Sequence, residues 1–118
     1  MPTCVDLADA KYPGNVPPME GRSLLPAFAG KPIVPEALYW EHEGNRAIRT
    51  GKWKAVALLP DGEWELYDME RDRMEMHNLA SVQPQRVRAM AEQWEQWARR
   101  THALPWPWQP AYSSKAER

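Results

Sequence analysis

His42 stands between Glu41 and Glu43, the one place in this 118-residue sequence where an imidazole lies directly beside carboxylates. Such a triplet invites general acid–base or metal chemistry. In a strand, however, successive side chains point to opposite faces, so both glutamates turn away from His42 and a shared site is weakened. His77 and His102 share no ligand-like spacing with it, and no metal centre is expected. Cys4 is the single cysteine. With no base near it in sequence, it reads as a small buried thiol on a short helix rather than a nucleophile. Arg22, Arg46 and Arg49 could hold an anion, but surface ion pairing is the preferred reading. Trp106 and Trp108 could stack on sugars or bases. Beside prolines they read instead as groups that pack on a neighbour.

The elements that position these groups are legible. Residues 38–68 form short aromatic and β-branched runs separated by three turns, Glu43-Gly44-Asn45-Arg46, Thr50-Gly51-Lys52 and Pro60-Asp61-Gly62. Gly44 and Asn45 are the residues expected to take the positive φ of a two-residue hairpin. Four strands follow, at 38–43, 46–50, 53–59 and 64–67, close enough in sequence to pair as an antiparallel meander. The third is apolar on both faces and is expected to be central and covered on both sides. Residues 68–79 read as a polar loop with one turn of helix and Asn78 as a turn residue.

Pro84 opens a helix over 84–101, since proline suits the first helical position. Val87, Met90, Ala91, Trp94, Trp97 and Ala98 keep the three-and-four spacing of one apolar face, while Arg86, Arg88, Glu92, Glu95 and Arg99 lie off it. This helix is expected to cross one face of the sheet through Trp94 and Trp97. Ahead of the sheet, residues 1–35 hold a short helix capped by Thr3, a proline-rich run, and a single turn over Leu24–Phe28 capped by Ser23 and ended by Gly30. They carry no self-contained core and read as a wrapper. The fold class is α+β: a four-stranded antiparallel meander with one amphipathic C-terminal helix on one face. The expected segments are 1–35, 36–112 with an extended Trp/Pro tail, and a frayed 113–118.

Composition removes several functions. Lys plus Arg total 15 against 16 Asp plus Glu, which leaves no field for gathering nucleic acid or docking on a charged membrane. One cysteine excludes an internal disulfide. No apolar run approaches the roughly 18–20 residues needed to span a bilayer, and no signal-peptide pattern opens the chain.

The strings Trp40-Glu41-His42-Glu43-Gly44-Asn45-Arg46-Ala47-Ile48-Arg49 and Gly51-Lys52-Trp53-Lys54 resemble the C-terminal subdomain of bacterial arylsulfatases. The likeness continues through Glu65-Leu66-Tyr67-Asp68, His77-Asn78-Leu79-Ala80 and the Pro84 helix. Met1 to Ala8 and the segment around Leu24-Leu25-Pro26 resemble the connector that joins the two parts of that fold. The resemblance implies a piece of a sulfatase, with a sulfatase catalytic domain as partner in cis or in trans. It implies calcium and a formylglycine only in that other domain. Cys4 is followed by Val5-Asp6-Leu7 and does not match the family's C-x-P-S-R motif, so the chain alone is expected to be inactive. Met1 reads as an internal methionine of a longer parent. His42, Asn45 and Arg46 are the candidates for shaping the parent's substrate entrance. A free-standing interaction module acting with a separate catalytic chain is the alternative, and self-association through exposed apolar residues is expected of an isolated fragment.

Overall fold

The computed structural model describes residues 1–33, 37–59 and 61–104. Pro60, at the third turn, and the Trp/Pro and frayed tail segments lie outside these residues. The chain divides into two compact units, Met1–Pro35 and Glu36–Arg118.

The first unit holds two short helices, α1 (Pro2–Leu7) and α2 (Leu25–Phe28). None of its described residues is buried. Thr3 does not cap α1, whose N-cap is Met1, two residues earlier, with Pro2 in its first turn. A proline there sets φ for the helix, so Thr3 falls inside it, and its Oγ1 accepts the Leu24 N–H at 3.0 Å. Leu24, not Ser23, is the N-cap of α2, although Ser23 Oγ accepts the Leu25 N–H at 3.3 Å. Gly30 follows α2 with φ 70°, the left-handed conformation that ends helices. Cys4 is exposed, because a six-residue helix with no core beside it has nowhere to bury a thiol.

The second unit is the predicted meander with its helix. Strands β1 (Leu38–His42), β2 (Asn45–Thr50), β3 (Trp53–Ala57) and β4 (Glu65–Asp68) form one antiparallel sheet in the order β1-β2-β3-β4. The first hairpin turns one residue earlier than its glycine–asparagine signal suggests. Glu43 (φ 52°) and Gly44 (φ 85°) occupy the positive-φ positions, and Asn45 already pairs with His42. In the second hairpin Gly51 supplies the positive φ (57°) between Thr50 and Trp53.

Helix α3 (Pro84–Arg100) starts on Gln83 with Pro84 at its first position. Met90, Trp94 and Ala98 are buried against Ile48, Ala55 and Leu66. Burying each large apolar group in this set contributes about 1.5–3 kcal/mol. Trp97 stacks on Tyr39 of β1 at 5.0 Å between ring centres, and Arg86 lies 4.4 Å over the Trp53 ring, so a residue off the apolar stripe still packs. The third strand is central, as expected: α3 lies on one side, and on the other its Lys54 is half-buried in an ion pair with Glu75 of the loop after β4. Its outward Val56 sits in register between Ala47 and Glu65 and is half-buried. Residues 69–83 form successive turns without a regular helix; the Asp72 and Gln83 N–H groups bond the carbonyls four residues back, at Asp68 and Leu79. Asn78 Oδ1 accepts the N–H groups of Leu66 and Ala80, and Leu79 N–H bonds the Leu66 carbonyl, which closes the β4 edge.

Candidate functional site

The polar residues of the β1–β2 hairpin converge where the sheet meets the end of α3. Antiparallel register places Glu41 opposite Arg46, so both project from the face that α3 covers. Glu41 Oε1 accepts the Gly44 N–H at 2.8 Å across the turn. Arg46 donates from Nη2 to the Gly62 carbonyl at 2.7 Å, and its guanidinium lies 4.9 Å over Trp64 and 5.8 Å over Trp94. Its Nε is inaccessible and has no hydrogen-bond partner. Burial pushes the Arg46 guanidinium below its ordinary range, and the carboxylates of Glu95 and Asp61 pull it back up. It stays cationic at neutral pH.

Beside this pair opens a pocket of about 170 Å³, walled by Glu41, Gly44, Arg46, Trp94, Glu95 and Arg99, with Ala103 and Leu104 at the end of the helix. Glu95 and Arg99 are one helical turn apart and 3.4 Å from each other. Trp94 is 1 % exposed and donates its indole N–H to the Trp40 carbonyl at 2.9 Å. The pocket is therefore firm underneath and charged around its mouth.

The three sequence candidates occupy different environments. Asn45 uses both ends of its amide inside the molecule: Nδ2 donates to the His42 carbonyl at 3.0 Å and Oδ1 accepts the Leu59 N–H at 3.1 Å. Arg46 is half-buried in the cation–π sandwich. His42 is exposed on the opposite sheet face, in line with Leu38 and Trp40. Asn45 and Arg46 thus fasten the hairpin to the loop after β3; His42 meets Asn45 through its carbonyl, and its own side chain is exposed. The contribution of Glu95 and Arg99 to the pocket was not evident from the sequence. Their one-turn spacing on the polar side of the helix was the available signal, and it reads equally as a surface ion pair.

No family model matches the chain. It is 36% identical over 106 residues to an uncharacterized sulfatase of Schizosaccharomyces pombe, covering 80% of this chain and 19% of that protein. It is 38% identical to a choline-sulfatase of Rhizobium meliloti over 67% of this chain and 16% of the relative. An N-acetylglucosamine-6-O-sulfatase of Bacteroides thetaiotaomicron is 33% identical over 66% of this chain and 16% of its own length. The chain belongs to the sulfatase family. A solved structure described as a 2-O glycosaminoglycan sulfatase superposes with a TM-score of 0.62 and 26% identity, covering 86% of this chain and 24% of that one. This sulfatase chain spans less than a fifth of the length of these curated relatives.

The calcium and formylglycine that the family implies do not fit the residues described. No group of three or more His, Cys, Asp or Glu side chains gathers among them. Cys4 sits exposed on α1 and lacks the flanking motif. Among the described residues no helix is long and apolar enough to cross a membrane.

Proposed function

We propose that this chain is the C-terminal subdomain of an arylsulfatase, which packs on the catalytic domain and shapes its substrate entrance. Sulfate-ester hydrolysis belongs to the complete enzyme. One observation carries the reading: similarity to sulfatases runs along most of the chain, while its apolar surface stays open. Leu38, Trp40 and Leu58 are 44 %, 48 % and 75 % exposed in the second unit, and Leu7 and Phe28 are 67 % and 71 % exposed in the first. Leu38 and Trp40 share one sheet face, and a partner that covered them would take their apolar surface out of water. The sheet face opposite α3 and the coreless first unit are the surfaces that a catalytic domain would cover. The hairpin is suited to an entrance wall because Asn45, Arg46 and the Glu41–Gly44 bond hold it rigid while His42 stays exposed.

The test is a full-length sulfatase that carries this chain in place of its own corresponding segment, assayed on an aryl sulfate with calcium. His42→Ala is expected to change KM several-fold without lowering the melting temperature. Unchanged kinetics for His42→Ala would remove the entrance role. The isolated chain is expected to give no turnover and to self-associate in sedimentation velocity. Turnover abolished by Cys4→Ala would overturn the reading of the chain as non-catalytic.

A further inference from the structure

A second hollow, of about 330 Å³, opens at the other end of the sheet, where the turn between Thr50 and Trp53 meets the first half of α3. Arg86 is the one charged side chain in its lining, and no carboxylate among the described residues faces it. The guanidinium is held in place: Nε donates to Gln83 Oε1 at 2.8 Å, and the group lies 4.4 Å over the Trp53 ring. These contacts leave the two Nη nitrogens as a planar fork, the shape that grips a carboxylate through both oxygens. Gln83 makes no side-chain bond to a helical N–H, because its side chain is used on Arg86. The first turn of α3 therefore keeps its donors open and adds a positive end to the same place. Gln93 follows two helical turns on, a rise of about 10 Å. Its Nε2 donates to the Tyr39 hydroxyl at 3.0 Å, which leaves its carbonyl oxygen as an acceptor on the pocket wall. Between Arg86 and Gln93, Ala89 and Met90 form an apolar floor with Trp53.

We infer that this hollow binds an N-acylated apolar amino acid with a free carboxylate. The carboxylate takes the Arg86 fork, the apolar side chain lies on Ala89, Met90 and Trp53, and the amide N–H donates to the Gln93 carbonyl. An inorganic sulfate would meet a single cation and a floor it cannot use, and an amine would meet no carboxylate. The volume is at the lower end of the range for small-molecule pockets and suits one acylated residue. A free acylated amino acid and the last residue of a peptide present the same chemistry. The site lies at the opposite end of the sheet from the β1–β2 hairpin and does not depend on the entrance reading.

The experiment is a titration of the 118-residue chain by two-dimensional 1H–15N NMR, read at the Arg86 Nε–H, the Gln93 side-chain amide and the Trp53 indole N–H. The probes are N-acetyl-L-leucine, N-acetyl-L-leucinamide, 4-methylpentanoate, acetyl-triglycyl-leucine and sodium sulfate. N-acetyl-L-leucine is expected to shift all three signals saturably. The leucinamide lacks the carboxylate and should bind about tenfold more weakly, the loss of a charge-assisted contact. 4-Methylpentanoate lacks the N–H and should bind about threefold more weakly. Tighter binding of the peptide than of N-acetyl-L-leucine names a chain terminus as the source, and weaker binding names the free acylated amino acid. Arg86→Gln alters an exposed side chain, so the fold persists, and should weaken binding about tenfold. Arg86→Lys keeps the charge without the fork and should restore only part of that loss. The inference falls if neither N-acetyl-L-leucine nor the peptide shifts these signals, if the leucinamide or sulfate shifts them equally, or if Arg86→Gln binds as the parent does.

Discussion

Replacing Asn45 by alanine tests whether the hairpin is held from within. Its Oδ1 is the acceptor for the Leu59 N–H at 3.1 Å in a part-buried position. Leu59 has φ 62°, a left-handed conformation that costs a residue with a side chain about 1–2 kcal/mol, so something must hold it there. Removing the acceptor forfeits a net bond of about 1 kcal/mol and leaves a partly desolvated N–H. The Nδ2 bond to the His42 carbonyl is exposed, water replaces it, and its loss adds a few tenths at most. Asn45→Ala is therefore expected to cost about 1–2 kcal/mol. Asn45→Asp keeps the acceptor and loses only the exposed donor, so it should cost less than about 1 kcal/mol. Adding Leu59→Gly to Asn45→Ala relieves the left-handed strain and should restore part of the loss. Urea unfolding of the chain, followed by tryptophan fluorescence, measures all three. Equal losses for alanine and aspartate, or no loss for alanine, would refute the fastening role of Asn45 and free it to act on substrate.

Trp94→Ala should cost about 3–5 kcal/mol and abolish cooperative unfolding of the second unit, because the largest fully buried side chain disappears and the Trp40 carbonyl loses its donor. A β-carbon added at Gly62 would lie 1.8 Å from the Leu58 carbonyl oxygen, so Gly62→Ala must move the loop that accepts from Arg46. Gly51→Ala meets open space and bears only the positive-φ penalty of about 1 kcal/mol. Urea midpoints should rank Gly62→Ala as the more damaging, and the reverse order would contradict the loop geometry. Lys52 holds the Asp68 carboxyl below its usual range, and the Met76 and His77 N–H groups do the same for Asp72. The unfolded chain, with carboxyls near about 3.9, takes up these protons first, so stability present at neutral pH falls as pH drops below about 5. Lys52→Met should flatten that decline in urea midpoints measured from pH 7 to pH 3. The hydrogen bond to Glu65, with burial, pushes the Tyr67 hydroxyl up to about 12, so stability is also lost as pH rises from about 10 towards 12. Tyr67→Phe should remove that alkaline component.

The meander and its helix were legible because two independent periodicities agree with their punctuation. Tyr39 and Glu41 alternate against Leu38 and Trp40, Met90–Trp94–Ala98 recur by helical turns, and Gly51 and Pro84 mark a turn and a helix start. Where a single residue decided the outcome, the sequence was less informative. The hairpin slipped by one residue because Glu43, which gives no left-handed signal, accepts positive φ once its partner Gly44 does and Asn45 is drawn into pairing with His42. The apolar run of β3 marked a central strand but not what lies over it, since Val56 is equally apolar whether a helix or a loop packs beside it. That ambiguity also explains the site. A sequence states that His42, Asn45 and Arg46 are polar and adjacent, but not which of them the fold consumes. Register and the left-handed Leu59 turn Asn45 inward, the indole rings of Trp64 and Trp94 hold Arg46, and Glu95 and Arg99 arrive from about fifty residues away. A site assembled by tertiary contact from ordinary ion-pair residues has no local pattern to be read. Its chemistry follows only from the balance of charge that the fold brings to one pocket.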